Sequence, residues 1–206
     1  MNVFDRKQHW ENIYNTKQLN EVSWYQHTPV TSLAFIDDFK LPLSAKIIDV
    51  GAGDSHLVDH LLEIGYHNIT VADISAKAIE RAKERLGNKA EKVKWIVTDI
   101  TDFDPPEKYD LWHDRAAFHF LTDEADINKY LHILTSALNP DGWFVVGTFS
   151  ENGPAKCSGI EIKQYTESAI NELLSPYFNK QKCFTVDHQT PFDTIQNFLF
   201  CSFTKK

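Results

Sequence analysis

Short apolar runs alternate with segments of helical periodicity through the middle of the chain. The runs are rich in β-branched and aromatic residues and cover 46–50, 69–72, 93–97, 109–113 and 143–149. Helical patterns lie between several of them, at 57–64, 76–86 and 126–138. Strands that alternate with helices pair in parallel, because each helix is a crossover that carries the chain back across the sheet before the next strand begins. The alternation therefore predicts an α/β fold with a doubly wound sheet and helices on both faces.

The segments on either side of this region have different patterns. Residues 5–16 and 29–38 are predicted to be helices, the second opened by Pro29. A loop at 150–159 precedes a short helix near 166–174 and two strands at about 179–188 and 195–204. A hairpin of this kind would close the parallel sheet with an antiparallel strand. The chain contains no repeat and no linker-like composition, so we expect a single domain.

Composition restricts the partners. The chain has 206 residues and a formal net charge of −8, which disfavours nucleic acid because phosphate contacts need a cationic surface. No apolar run approaches the ~20 residues of a membrane span, and the polar start does not read as a signal peptide. Cys157, Cys183 and Cys201 are scattered without metal-ligand spacing, which fits a reducing cytoplasm. We expect a cytoplasmic protein with no metal and no nucleic-acid or membrane partner.

The first apolar run leads into a glycine turn and then a helix. Gly51 and Gly53 let the backbone approach a ligand closely, and the following helix offers free N–H groups. A dinucleotide fingerprint would need a small residue at the position of His56, whereas the small residue here is Ser55. Asp49, on the strand before the turn, suits a ligand with an ammonium group better than one with a pyrophosphate.

Two further acidic residues follow the next two strands. Asp73 lies 20 residues beyond Gly53, where a carboxylate can accept both hydroxyls of a ribose. Asp99 follows the third strand, within reach of the exocyclic amine of an adenine. Each could also be a turn or cap residue by itself. Three acidic residues at successive strand ends, where α/β sheets bind ligands, favour a nucleoside-binding site.

Five segments together resemble the class I S-adenosylmethionine (SAM)-dependent methyltransferases. They are IIDVGAGDS, VADIS, VTDI, YDLWHDR and NPDGWFVV, in the family's order and spacing over residues 46–149. The resemblance implies a seven-stranded sheet in the order 3-2-1-4-5-7-6 with strand 7 antiparallel. It also implies one domain over 1–206: a helical cap at 1–40, a SAM-binding core at 45–149, and a lid loop, helix and closing hairpin at 150–206.

The same resemblance implies the cofactor contacts and the product S-adenosylhomocysteine (SAH). Asp49, Gly51 and Gly53 would hold the methionine end, Asp73 the ribose and Asp99 the adenine amine, with Ser55 in place of the usual third glycine. The remaining cofactor candidates are apolar: Ile74 and Ile100 would clasp the adenine, and Trp24 or Tyr25 would cover the methionine part. These four residues could equally belong to the core.

The methyl acceptor is expected over the ends of the fourth and fifth strands. His113 and Asp114 are candidate catalytic residues there, following the strand. Arg115 and His119 are candidate substrate contacts, one helical turn apart if a helix begins at that point. Arg115 could instead form a scaffold ion pair, and His119 could simply be buried.

The loop at 150–159 also follows a strand end and is a candidate lid. Gly153 would serve as a hinge, and Cys157 would lie on the substrate side. A cysteine nucleophile is not needed, because methyl transfer from a sulfonium requires no covalent enzyme intermediate.

The function expected from these features is methyl transfer from SAM to a nitrogen, oxygen or sulfur nucleophile. Compact size favours a small-molecule acceptor, whereas acidic groups near the site and a loose N-terminal resemblance favour a protein lysine. A SAM-binding sensor without turnover is a second hypothesis, and a NAD-dependent oxidoreductase is a third, disfavoured by His56. The acceptor and the oligomeric state stay open.

Overall fold

Nine strands and six helices make up the regular structure of residues 4–206, the part of the chain that the computed structural model describes. The strands are β1 Lys46–Val50, β2 Asn68–Asp73, β3 Val93–Val97, β4 Tyr109–Arg115, β5 Leu138–Phe149, β6 Lys156–Cys157, β7 Ile160–Glu161, β8 Phe178–Gln189 and β9 Ile195–Lys205. The helices are α1 Arg6–Thr16, α2 Val30–Asp38, α3 Leu57–Ile64, α4 Ala76–Leu86, α5 Glu124–Ala137 and α6 Glu167–Leu174.

Seven of the strands form one mixed sheet in the order β3-β2-β1-β4-β5-β9-β8, and β6 and β7 form a separate small hairpin. Strands β1 to β5 are mutually parallel, while β9 runs antiparallel to both β5 and β8. If only the seven strands of this sheet are numbered in chain order, β8 becomes strand 6 and β9 becomes strand 7. The sheet order is then the predicted 3-2-1-4-5-7-6, with strand 7 antiparallel. The predicted fold class is therefore confirmed.

Apolar cores lie on both faces of the sheet because side chains alternate along each buried strand. Along β4, Leu111 belongs to the same core as Phe35 of α2 and Leu61 of α3, whereas Trp112 belongs to the core on the other face, where it bonds to Tyr130 of α5. Burial on both faces explains why the central strands read as continuous apolar runs.

Local signals set several helix ends. Ser75 accepts a hydrogen bond from Ala78 N–H and caps α4, and Thr166 caps α6 in the same way. Gly65 ends α3 in the left-handed conformation, with a φ of 110°. Each of these caps depends only on residues within one turn of the helix end.

Two boundaries differ from the sequence prediction. Strand β4 continues to Arg115, so His113, Asp114 and Arg115 are strand residues and no helix begins at Arg115. Instead Ala116, with a φ of 65°, turns the chain into a single 3-10 turn at Phe118–Phe120. In addition, β5 begins at Leu138 and not at residue 143, because residues 139–142 form a bulge between the pairings of Tyr109 and Leu111.

The cysteines are not all unpaired, which corrects the expectation of three scattered thiols. Cys183 and Cys201 face each other on neighbouring strands β8 and β9 and form a disulfide, while Cys157 is free and buried. The residues lie 18 positions apart, and only the hairpin register brings them together. A cytoplasmic location stays a prediction, since the argument from unpaired thiols no longer holds.

Across residues 4–206, no helix combines the length and apolarity that a membrane crossing demands.

Asp114 is the centre of a buried hydrogen-bond network beneath the sheet. Its Oδ1 accepts from Ala117 N–H at 3.1 Å and from Phe118 N–H at 3.0 Å, which holds the turn after β4. Its Oδ2 accepts from the Tyr130 hydroxyl at 2.8 Å, and that hydroxyl accepts from Trp112 Nε1 at 3.0 Å. The carboxylate thus joins β4, the turn and α5.

We predict that Asp114→Ala lowers the free energy of unfolding by about 2–4 kcal/mol, because two buried N–H groups and a hydroxyl lose their acceptor. Tyr130→Phe is the matched control, since it removes one hydroxyl and should cost about 1 kcal/mol. Urea denaturation of both variants measures the two values. An Asp114→Ala variant as stable as the wild type would contradict this role.

Candidate active site

A cleft opens at the carboxyl ends of β1, β2 and β4, beneath α1 and the segment 17–29. The ends of parallel strands meet at one edge of a sheet, and ligands of α/β proteins bind there. Side chains from both the sheet and the N-terminal segment line the cleft, including Trp10, Tyr14, Trp24, Asp49, Asp73, Asp99, His113 and Arg115. The structure thus brings together candidates that are far apart in the sequence.

The glycine turn has the conformation that its sequence predicts. Gly51 and Gly53 adopt φ values of 60° and 57°, which residues with a Cβ rarely adopt. A Cβ on Gly51 would collide with Ala117, and one on Gly53 would collide with the Tyr14 hydroxyl. Gly51 lines the cleft, as does Ser55, whereas Gly53 lies under Tyr14. Gly53 therefore acts through its backbone and its lack of a side chain.

Asp73 joins the glycine turn to the start of α4. Its Oδ2 accepts from Gly53 N–H at 2.7 Å, and its Oδ1 accepts from Ser75 N–H at 2.8 Å. Burial raises the pKa of Asp73 to about 6, against the opposing effect of these hydrogen bonds, and the charges of Asp54 and Asp49 raise it further. Each carboxylate oxygen can accept a second hydrogen bond, so hydroxyl groups in the cleft could be bound there.

Asp99 lies in the cleft and is paired with an arginine that the sequence did not suggest. Its Oδ1 accepts from the Thr101 N–H and hydroxyl at 2.9 and 2.8 Å, and its Oδ2 lies 3.1 Å from Arg6 Nη2. Arg6 also pairs with Asp126 at 3.0 Å. An adenine amine that bonds to Asp99 must therefore share or displace Arg6. The flanking candidates Ile74 and Ile100 both line the cleft.

Asp49 is one end of a buried chain of polar side chains. Its Oδ1 lies 2.7 Å from His113 Nδ1, and His113 Nε2 lies 2.8 Å from Ser32 Oγ of α2. The carboxylate cannot donate, so Nδ1 carries a proton, and Nε2 is hydrogen-bonded to the Ser32 hydroxyl. All three residues line the cleft. Because both ring nitrogens of His113 are occupied, the geometry suits orientation of Asp49 better than removal of a proton from an acceptor.

An aromatic wall over the cleft is formed by Trp10 and Trp24 of the N-terminal segment and by Phe120, which follows β4. Trp10 of α1 makes edge contacts with Trp24 and Phe120, at centroid distances of 5.8 and 4.9 Å. Tyr25 also lines the cleft and packs against His56 at 5.8 Å. The sequence suggested Trp24 and Tyr25 but not Trp10 or Phe120 as wall residues. Phe120 follows β4 in a segment whose fold the sequence misjudged.

Polar contacts anchor α1 on the sheet domain. The Glu11 carboxylate accepts from the Ser75 hydroxyl at 2.9 Å and from two N–H groups at the start of α4, at 2.8 and 3.1 Å. Arg81 of α4 donates to the Tyr14 carbonyl at 3.0 Å and pairs with Asp54 at 2.8 Å. These bonds fix the N-terminal helix over the glycine turn and enclose the cleft.

Three candidate residues lie outside the cleft lining. Asp114 faces the opposite core, so its geometry gives no support to a catalytic role. His119 is fully buried, stacks on Phe149 at 4.6 Å and has its pKa lowered to about 3 by burial, so it is neutral. Gly153 donates to Ser150 O at 2.9 Å, and a Cβ there would strike Asn197 O. Tight packing argues against a free hinge.

The other two substrate-side candidates do line the cleft. Arg115 enters it from the end of β4, and Cys157 enters it from the β6–β7 hairpin, where burial raises the pKa of the thiol. Within residues 4–206, no group of three or more His, Cys, Asp or Glu side chains is arranged to hold a metal ion.

Comparison with known proteins finds a family similarity in the part of the chain that forms most of the sheet. Residues 47–142 match the methyltransferase domain family. Nodulation protein S of Rhizobium fredii is 32% identical over 106 residues, 52% of this chain and 60% of that protein. The mouse eEF1A lysine and N-terminal methyltransferase is 25% identical over 126 residues, 60% of this chain and 18% of that protein. The matches thus span less than two thirds of either relative.

A solved structure agrees over nearly the whole chain. It is the Burkholderia thailandensis 1,6-didemethyltoxoflavin-N1-methyltransferase with bound 1,6-didemethyltoxoflavin and SAH. Its TM-score is 0.69 at 19% identity, and the superposition covers 97% of this chain and 84% of the other. The family match over residues 47–142 and the sheet order together support a class I SAM-dependent methyltransferase domain, the class that the sequence motifs resemble.

The residues in the cleft fit SAM. Asp49 supplies an anion for the methionine ammonium group, Asp73 has acceptor capacity for ribose hydroxyls, and Asp99 can accept from the adenine amine. Ile74 and Ile100 supply apolar surface beside Asp73 and Asp99. An acidic cleft with apolar walls suits a cationic nucleoside better than a pyrophosphate.

We predict that SAH binds more tightly as pH rises from 5 to 7, by about tenfold, and then levels off. Ribose hydroxyls donate to ionised Asp73, and its raised pKa of about 6 means that a proton must leave first below that pH. Calorimetry at pH 5, 6, 7 and 8 checks the slope. Asp73→Asn is the control and should lose both affinity and the pH dependence. A flat wild-type profile would remove Asp73 from the site.

Proposed function

We propose that this chain binds SAM in the cleft and catalyses transfer of its methyl group to a nitrogen, oxygen or sulfur atom of a small molecule. The observation that carries the proposal is the convergence of Asp49, Asp73 and Asp99, from the ends of three neighbouring strands, on one cleft. When bound, SAM supplies an electrophilic methyl group, and SAH is the product.

The residues of the chain would contribute mainly binding and positioning. Asp73 would fix the ribose, and Asp49, oriented by His113, would fix the ammonium group. The aromatic wall of Trp10, Trp24 and Phe120 would exclude water from the reacting atoms, which strengthens the electrostatic contacts inside. None of these roles requires a general base, which matters only when the acceptor must lose a proton.

A small-molecule acceptor is favoured by the enclosure of the cleft. Helix α1 and the aromatic wall cover it, and the bonds of Glu11 and Arg81 hold that cover in place. The similar fold of a methyltransferase with a small acceptor bound supports the same class. A protein-lysine acceptor is the second candidate, supported by the similarity to the mouse lysine methyltransferase.

Incubation with methyl-labelled SAM and a cell extract tests the proposal. After macromolecules and small solutes are separated, we expect label among the small solutes with wild-type protein and a loss of most of it with Asp73→Ala. Label in the protein fraction would favour the lysine acceptor. SAM binding without transfer would favour a sensor, and stabilisation by NADH but not by SAH would favour an oxidoreductase.

We also predict that His113→Phe weakens SAM binding by roughly tenfold, since Asp49 loses the hydrogen bond that orients it, at about 1–2 kcal/mol. Ser32→Ala is the matched control, because it removes only the outer member of the chain and should weaken binding less. Calorimetry measures both affinities. If His113→Phe lowers turnover but leaves SAM affinity intact, His113 acts on the acceptor instead.

A further inference from the structure

Arg115 differs from the other three arginines of the chain. Arg6 pairs with Asp99 and Asp126, Arg81 pairs with Asp54, and Arg85 pairs with Asp59, all at 2.8–3.1 Å. Within residues 4–206, no carboxylate oxygen lies within ion-pair distance of the Arg115 guanidinium. A charged side chain inside a protein is costly without a partner of opposite charge.

The guanidinium is nevertheless held in a defined orientation. Nη1 donates to the Trp24 carbonyl at 2.9 Å, and the central carbon lies 5.0 Å from the Phe198 ring centroid. The paired residue on β5 is Gly147, where a Cβ would strike the ring of Phe200. Burial lowers the pKa of Arg115 to about 10, so the group stays protonated at neutral pH.

The two nitrogens of Arg115 that lack a hydrogen-bond partner among residues 4–206 are Nε and Nη2, and both are buried. Together they form the side edge of the guanidinium, whose two parallel N–H groups match the two oxygens of a carboxylate. The bond to Trp24 uses the other end of the fork and leaves this edge free. This edge therefore has the geometry that a bidentate contact with a carboxylate requires.

The surroundings supply no close anion to take that place. Asp49 favours the charged guanidinium from a distance but is hydrogen-bonded to His113. His119 and His188 also lie near, and burial, together with the charge of Arg115, lowers the pKa of both, so they supply no further charge. Cys157 lies on the same side, with a pKa raised by its burial.

We propose that the free edge of Arg115 binds a carboxylate inside the cleft. The inference rests on the proposed function, which supplies two sources for that carboxylate: the methionine part of SAM, or the methyl acceptor. Arg115 on β4 and Asp49 on the neighbouring β1 would provide one cation and one anion at the same edge of the sheet. That pair is complementary to the zwitterion of an amino acid.

Calorimetry with two ligands distinguishes the sources. SAH carries the methionine carboxylate, whereas 5′-methylthioadenosine lacks the whole amino-acid part. If the carboxylate is that of the cofactor, Arg115→Met should weaken SAH binding at least thirtyfold and leave 5′-methylthioadenosine within twofold. Arg115→Lys, which keeps the charge but not the fork, should fall between. Lys163→Met, an exposed cation outside the cleft, is the control for net charge.

If SAH affinity is unchanged in Arg115→Met, the carboxylate belongs to the acceptor. The SAH-saturated wild type should then bind at least one of acetate, malonate or benzoate, and Arg115→Met should bind none. Thermal unfolding of the free variants controls for folding, and we expect Arg115→Met to melt no lower than the wild type. Unchanged SAH affinity together with no carboxylate binding would overturn the inference. A wild type that binds no SAH would refute the proposed function itself.

Discussion

The hydrogen bond from Gly53 N–H to the Asp73 carboxylate links the parts of the molecule on which the cleft depends. It ties the glycine turn after β1 to the end of β2, and the second Asp73 oxygen ties both to α4 through Ser75. The Ser75 hydroxyl in turn donates to Glu11 of α1. One buried carboxylate therefore positions the turn, the next helix and, through one more residue, the helix that covers the site.

This arrangement explains why the N-terminal helix belongs to the site. Without side chains on Gly51 and Gly53, Ala117 and Tyr14 pack against the turn itself, so α1 lies directly on the backbone that would contact the cofactor. The acidic groups below it are only partly balanced. Asp54 and Asp99 have arginine partners, whereas Asp73 has no cation within ion-pair distance among residues 4–206. A cationic ligand would reduce that imbalance, which is consistent with a sulfonium nucleoside.

The sheet order could be predicted from the sequence, and so could the glycine turn and the acidic residues at the strand ends that line the cleft, because these features depend on short-range patterns. Strand periodicity, the glycine turn and the acidic residues at strand ends are each visible within a few residues. The tight packing of Gly153 and His119 could not be predicted, because their environments come from distant chain segments at Asn197 and Phe149. The position of Asp114 depends on strand alternation, which sends its side chain to the opposite face from His113. Arg6 and Trp10 could not have been found, since only the docking of α1 brings them to the cleft.

The most direct test of the account is a crystal structure of the protein with SAH. We predict the ribose hydroxyls within hydrogen-bond distance of Asp73, the adenine between Ile74 and Ile100 with its amine at Asp99, and the amino-acid end at Asp49. Arg6 should move from Asp99 or share it. SAH bound in the reverse orientation, or outside this cleft, would contradict the account.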